Sequence, residues 1–100
     1  MQLGRFTRTE TGYAGVLRTL TLEVLLRIEP APQLTDNSPD HRIFAGEQEC
    51  GAAWTPDEDK GAVLSLKIDD PSLAAPLRAR LVRGRDDDDY ILLWRRPPGD

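Results

Sequence analysis

From Leu20 to Ile28 the even positions are all apolar (Leu20, Leu22, Val24, Leu26, Ile28), while Thr19, Thr21, Glu23 and Arg27 keep the odd positions polar and only Leu25 breaks the pattern. Successive side chains on an extended chain point to opposite faces, so this period-two pattern is that of a strand with one face buried. Leu17, Leu20, Val24 and Ile28 also align at helical spacing. Two threonines, the lack of a capping residue and the unbroken even series favour the strand. The stretch "AVLSLKID" repeats the pattern, with Leu64, Leu66 and Ile68 facing in and Ser65, Lys67 and Asp69 facing out.

The remaining segments fit the same plan. Phe6, Thr7 and Thr9 form the first arm of a hairpin that turns at Glu10–Gly12, and its long second arm runs on until Pro30 and Pro32 end it. "APQLTDNSPD" is a polar loop, "HRIFAG" and "ECGAAW" are strands, and "TPDEDKG" is an exposed turn. Pro71 cannot donate to a sheet ladder, so "DPSLAAP" leaves the strand. Asp70 suits a helix N-cap with Pro71 at the first helical position, and Pro76 stops the helix after one turn, over Pro71–Ala75. Asp70, Pro71 and Pro76 thus make a structural corner. "LRARLVRG" and "YILLWRR" are strands separated by "RDDDD".

The expectation is an all-β domain spanning residues 1–100. It has six or seven short, mostly antiparallel strands, forms a small barrel or sandwich, and carries one short helical turn. Trp54 and Trp94 are expected in its core. Gly12 and Gly15 fit a turn or bulge, and the small residues Gly51 to Ala53 a close approach between strands.

Composition narrows the function classes. One hundred residues, 39% apolar and 30% charged, describe a single globular domain rather than a disordered chain. The net charge of −4 is spread over both halves, five arginines against seven acids in residues 1–50 and eight basic residues against ten in residues 51–100. The overall basic footprint of a duplex-DNA binder is missing. The lone Cys50 makes no internal disulfide. "MQLGRFTRTETG" is polar and the apolar run after it is broken by Arg18, Glu23 and Arg27. The chain therefore reads as cytosolic, without a signal segment or a membrane span.

The chemistry-bearing residues have bland readings that outweigh the sharp ones. Asp69 and Asp70 could pair for acid–base work with Ser72 as nucleophile, but neighbours on a strand diverge and no histidine is near to activate the serine. Cys50 and His41 would need to meet in space beside an orienting third group, whereas a lone cysteine before Gly51 is more often a small core residue. Asp86 to Asp89 lack the alternate-ligand spacing and turn glycine of a calcium loop, and read as a solvated hairpin tip. The expectation is therefore no enzyme, no cofactor and no metal site.

The arginines carry more. "LRARLVRGR" holds Arg78, Arg80, Arg83 and Arg85 with no acid among them, and "LLWRR" adds Arg95 and Arg96 beside Trp94. On a strand Arg78 and Arg80 share a face. A basic strip next to an aromatic suits a single-stranded nucleic acid, which cations hold along the backbone and rings stack against. The nucleic-acid contacts on this reading are Arg78, Arg80, Arg95 and Trp94. The competing reading is a solvated face paired with Asp86–Asp89 across the hairpin, each pair contributing about 0–1 kcal/mol.

"GRF", "GYAGVLRTLTL", "PDHRI", "GAAW", "LSLKIDDPSLAAPLRARL" and "LLWRR" stand in this order between Gly4 and Arg96. In order and spacing they resemble the small bacterial family catalogued as domain of unknown function 736. "GYAGVLRTL" and "IDDPS", with Pro76 after it, carry most of the resemblance. It implies a short bacterial protein, often encoded on plasmids or integrated elements near conjugative-transfer genes, with no catalytic residue to carry over. His41 stands where the family commonly has tyrosine and Leu73 where it has phenylalanine, which softens the aromatic character of the loops. The "DDDD" run is local to this chain. The preferred expectation is thus a non-enzymatic cytosolic binding or accessory module serving a bacterial mobile element. A protein partner or self-association through an edge strand is expected, and a single-stranded nucleic-acid module is the alternative.

Overall fold

The computed structural model describes residues 2–56, 62–71 and 73–94. They form eight strands: β1 (Gln2–Arg8), β2 (Tyr13–Arg18), β3 (Glu23–Pro30), β4 (His41–Ala45), β5 (Gln48–Trp54), β6 (Ala62–Ile68), β7 (Leu77–Arg83) and β8 (Asp89–Trp94). Each pairs antiparallel with the next, and β8 returns to β1, with Gln2 opposite Leu93 and Phe6 opposite Tyr90. The result is a closed up-and-down barrel. The all-β antiparallel expectation holds, and of its two architectures the barrel is the one formed.

Three details of the expectation are corrected. The first is the strand count. The long second hairpin arm is two strands, parted at Thr19–Leu22, where the Thr19 N–H donates to the Leu22 carbonyl at 2.8 Å. The Thr19 hydroxyl accepts from the N–H groups of Thr21 and Leu22 at 3.3 and 3.1 Å, a side-chain turn that replaces the ladder. Leu20, read as a buried strand residue, is fully exposed at this tip. The second is the helical turn: no helix occurs among the described residues. The β6–β7 connection is a β-turn in which Asp70 C=O accepts from Leu73 N–H at 2.9 Å, followed by bends through Ala75. Pro76 has no N–H, so only Ala74 and Ala75 could donate to a helical turn starting at Asp70, too few to hold one. Ser72 lies outside the described residues. The third is the edge strand. Closure pairs every described strand on both sides, so the ladder presents no open edge for self-association.

The core is the barrel interior. Phe6, Leu17, Ile28, Ile43, Leu81, Tyr90 and Leu92 are at most 1% exposed. Each contributes about 1.5–3 kcal/mol by burial. Alternation places Leu26 and Ile28 inside and Leu25 and Arg27 outside, as the period-two pattern requires. Gly15 faces Phe6 across the β1–β2 pair, and a Cβ there would come within 2.7 Å of the Phe6 Cα. The missing side chain leaves that space to the phenylalanine ring. Of the two tryptophans expected in the core, Trp94 packs against it and Trp54 does not, and both are only partly buried. Parity explains Trp54, which follows the inward Ala53 and therefore faces out.

Candidate functional site

The strand registers assemble a basic patch on the outside of the barrel. Lys67 on β6 lies opposite Arg78 on β7, and Ser65 opposite Arg80. Ala79 between them and Leu81 after them are buried, so Arg78 and Arg80 face solvent, about 6.5 Å apart along the strand. Among the described residues none of Lys67, Arg78 and Arg80 makes an ion pair. The hairpin aspartates do not neutralise them. Asp89 pairs instead with Arg5 at 3.8 Å, and its carbonyl accepts from Gly84 N–H.

The ring on this face is Trp54 and not Trp94. Trp94 lies opposite Ala79, which is buried, so it shares the inward face and packs against the core. Trp54 pairs with Ser65, in the same cross-strand row as Arg80, and its indole N–H donates to the Asn37 carbonyl at 3.1 Å. Trp54, Ser65 and Arg78 line an open groove of about 470 Å³, which the polar loop carrying Gln33, Asp36 and Asp40 bounds on the other side. The structure thus keeps Arg78 and Arg80 together, separates Trp94 from them, and adds Trp54 and Lys67. Alternation in β5 and β6 held that signal, since Ala53 and Leu66 are inward. Arg95 lies outside the described residues.

Asp40 anchors the loop over the groove. Its carboxylate takes the His41 Nδ1 at 2.8 Å and the Thr55 N–H at 3.2 Å. Partial burial, the largest single influence, pushes the Asp40 carboxyl up, but the hydrogen bonds from His41 and Thr55 together outweigh it and hold the group below its ordinary range.

His41, Cys50 and Asp69 do not converge. His41 is opposite Ala53, three residues from Cys50 along β5, a separation of about 10 Å. The two residues open onto different ends of the barrel. Asp69 is exposed and only its backbone N–H reaches the Cys50 carbonyl, at 2.8 Å. Among the described residues no three His, Cys, Asp or Glu side chains gather where a metal could sit.

The ends of the barrel differ in chemistry. Arg8, Thr9, Glu10, Tyr13 and His41 line a polar pocket of about 100 Å³ at one end. There the Tyr13 ring meets Tyr90 edge-on, 4.9 Å between centroids, and the Arg83 guanidinium lies 6.0 Å from the Tyr90 ring. Burial first, and then the neighbouring Tyr90, push the Tyr13 hydroxyl above its ordinary value despite Arg8 and Arg83. The other end holds an apolar pocket walled by Leu17, Leu22, Val24, Leu26, Ile68 and Leu73 and also lined by Cys50 and Asp70. Burial, reinforced by the charges of Asp70 and Glu49, raises the Cys50 thiol, so it stays protonated and is a poor nucleophile.

No helix among the described residues is long and apolar enough to cross a membrane. No curated protein and no solved structure matches the chain. One family does: residues 2–97 match the family described as Protein of unknown function (DUF736), which covers the barrel from its first strand to its last, and the chain belongs to that family.

Proposed function

We propose that this protein is a non-enzymatic binding module whose working surface is the outer face of β6 and β7. Lys67, Arg78 and Arg80 hold the backbone of a single-stranded nucleic acid there, beside the Trp54 ring. The observation that carries the reading is three neighbouring cations without a carboxylate partner among the described residues, next to an aromatic on the same face. Cations that track a backbone and a ring that accepts any base are the two elements of sequence-tolerant single-strand binding. On this reading the protein acts as an accessory to a bacterial mobile genetic element, the setting that the resemblance implies, and in the cytoplasm, as the polar N-terminal stretch suggests.

The test is fluorescence anisotropy with a short labelled DNA strand over a salt series. Binding should weaken linearly on a log–log plot, and the double substitution Arg78→Ala with Arg80→Ala should flatten the slope by about 1.4. Arg18→Ala, which removes an exposed arginine already paired with Glu23 at 3.1 Å, should leave the slope unchanged. If no strand binds at low salt, the reading fails.

A second reading has its own observation. Leu25, Val16, Ile91 and Val82 lie in one outer row across β3, β2, β8 and β7, interrupted only by Arg5 on β1, and Leu25 is 73% exposed. An apolar row on an outer barrel face suits a protein surface, here a second copy of the chain.

A further inference from the structure

The groove beside Trp54 has two walls that carry opposite charge. Arg78 lines it on the barrel side, with Ser65 and Trp54, and Asp36 lines it on the loop side. The loop wall is held by its own hydrogen bonds. Ser38 N–H donates to the Thr35 carbonyl at 3.1 Å, closing a turn whose central residues are Asp36 and Asn37. The Ser38 hydroxyl accepts from Thr35 N–H at 3.1 Å, and the Gln33 amide donates to the Asp36 and Ser38 carbonyls at 3.5 and 2.9 Å. The Trp54 indole N–H pins the same turn through the Asn37 carbonyl. A wall ordered before the ligand arrives lowers the entropic cost of binding. The same bond occupies the polar edge of the indole. Among the described residues no ring or guanidinium stacks on its face.

The two carboxylates that border the groove differ. That of Asp40 is committed to His41 and Thr55. That of Asp36, one residue from the carbonyl that holds the indole, makes no ion pair or hydrogen bond among the described residues. An ionised carboxylate only accepts hydrogen bonds, through two oxygens side by side. Among the DNA bases, guanine alone presents two adjacent donors on its pairing edge, N1–H and the 2-amino group. Cytosine and adenine offer one amino group beside an acceptor ring nitrogen. The single N–H of thymine stands between two carbonyls that repel a carboxylate. On the single-strand reading above, we infer that this groove is a guanine-preferring subsite, with phosphate at Arg78, the base stacked on Trp54 and its pairing edge turned to the Asp36 carboxylate. The walls dictate that orientation, since the reverse would set phosphate against Asp36. Lys67 and Arg80 still take the backbone of any strand, so the preference is confined to one position.

The probes are short labelled DNA strands of thymines whose central base is thymine, guanine or hypoxanthine, titrated into the full chain by fluorescence anisotropy. The guanine strand should bind about tenfold more tightly than the all-thymine strand. Hypoxanthine keeps N1–H and lacks the 2-amino group, so its strand should fall between the two. Asp36→Asn should bring the guanine and thymine strands level and leave the salt slope of the thymine strand as it is. If no strand binds, the single-strand reading and the subsite fall together. If the strands bind but guanine gains nothing over thymine, or hypoxanthine equals guanine, the subsite alone falls and the single-strand reading stands. A guanine preference that survives Asp36→Asn overturns the subsite as well. The comparison of strands on the unaltered chain decides the matter even if that variant does not fold.

Discussion

Asp40 is the residue on which the groove beside Trp54 depends. Its backbone carbonyl accepts from Ala31 N–H at 2.9 Å, its N–H donates to the Ala53 carbonyl at 3.1 Å, and its carboxylate takes His41 and Thr55. One side chain thereby latches the loop between β3 and β4 to the end of β5. The carboxyl is held below its ordinary value, so its contribution to stability is fully present above about pH 4 and is lost as pH falls through the lowered value. Asp40→Asn should cost about 1 kcal/mol near neutrality. The gap between variant and parent should close in acid, which urea unfolding at about pH 7 and about pH 3 would measure. A gap of constant size across that range would show that the ionised state of Asp40 contributes nothing.

At the level of the strand and its turn, two hairpin tips share a device. Thr9 accepts from Gly12 N–H through its hydroxyl at 2.9 Å, as Thr19 does from Leu22 at 3.1 Å, and each threonine N–H donates to the carbonyl three residues on. Thr19→Val removes the second tip's side-chain acceptor and should lower stability by about 1 kcal/mol, or the melting temperature by about 5 °C. Thr21→Val, exposed at the same tip, is the control and should melt with the parent. This device also shows what the sequence conceals. The turn at Thr19–Leu22 is invisible to a period-two reading because Leu20 and Leu22 continue the alternation straight through it. By contrast, the inward faces of Leu26 and Ile28, and of Leu64, Leu66 and Ile68, were legible because burial on one side leaves parity no alternative. The basic pair Arg78 and Arg80 was legible for the same reason. Its ring was not, because tryptophan's size argues for the core while parity, set by Ala53, turns Trp54 outward. The apolar pocket was illegible too, since it arises where Ala45 and Cys50, close together only in the paired β4 and β5, meet the β6–β7 turn.

For the molecule as a whole, closure of the sheet decides how copies can meet. A closed ladder offers no strand to extend, so copies cannot associate by adding strands to its edge. On the second reading proposed above, the row of Val16, Leu25, Val82 and Ile91 takes a second copy, and sedimentation at rising protein concentration should then show a dimer that Leu25→Glu returns to monomer. A dimer indifferent to that substitution would exclude the row. Closure also has a consequence for the order in which the chain is written. Because Gln2 sits opposite Leu93, the first and last strands meet at a seam like any other in the ring. A polypeptide spliced across that seam and opened at the Gly46 turn between β4 and β5 would keep seven of the eight ladders between strands consecutive in the chain and leave only β4 and β5 to find each other without that link. Circular permutants of this protein can therefore place a fused cargo at either mouth of the cylinder, by choosing which hairpin to cut, with the basic wall left uncovered.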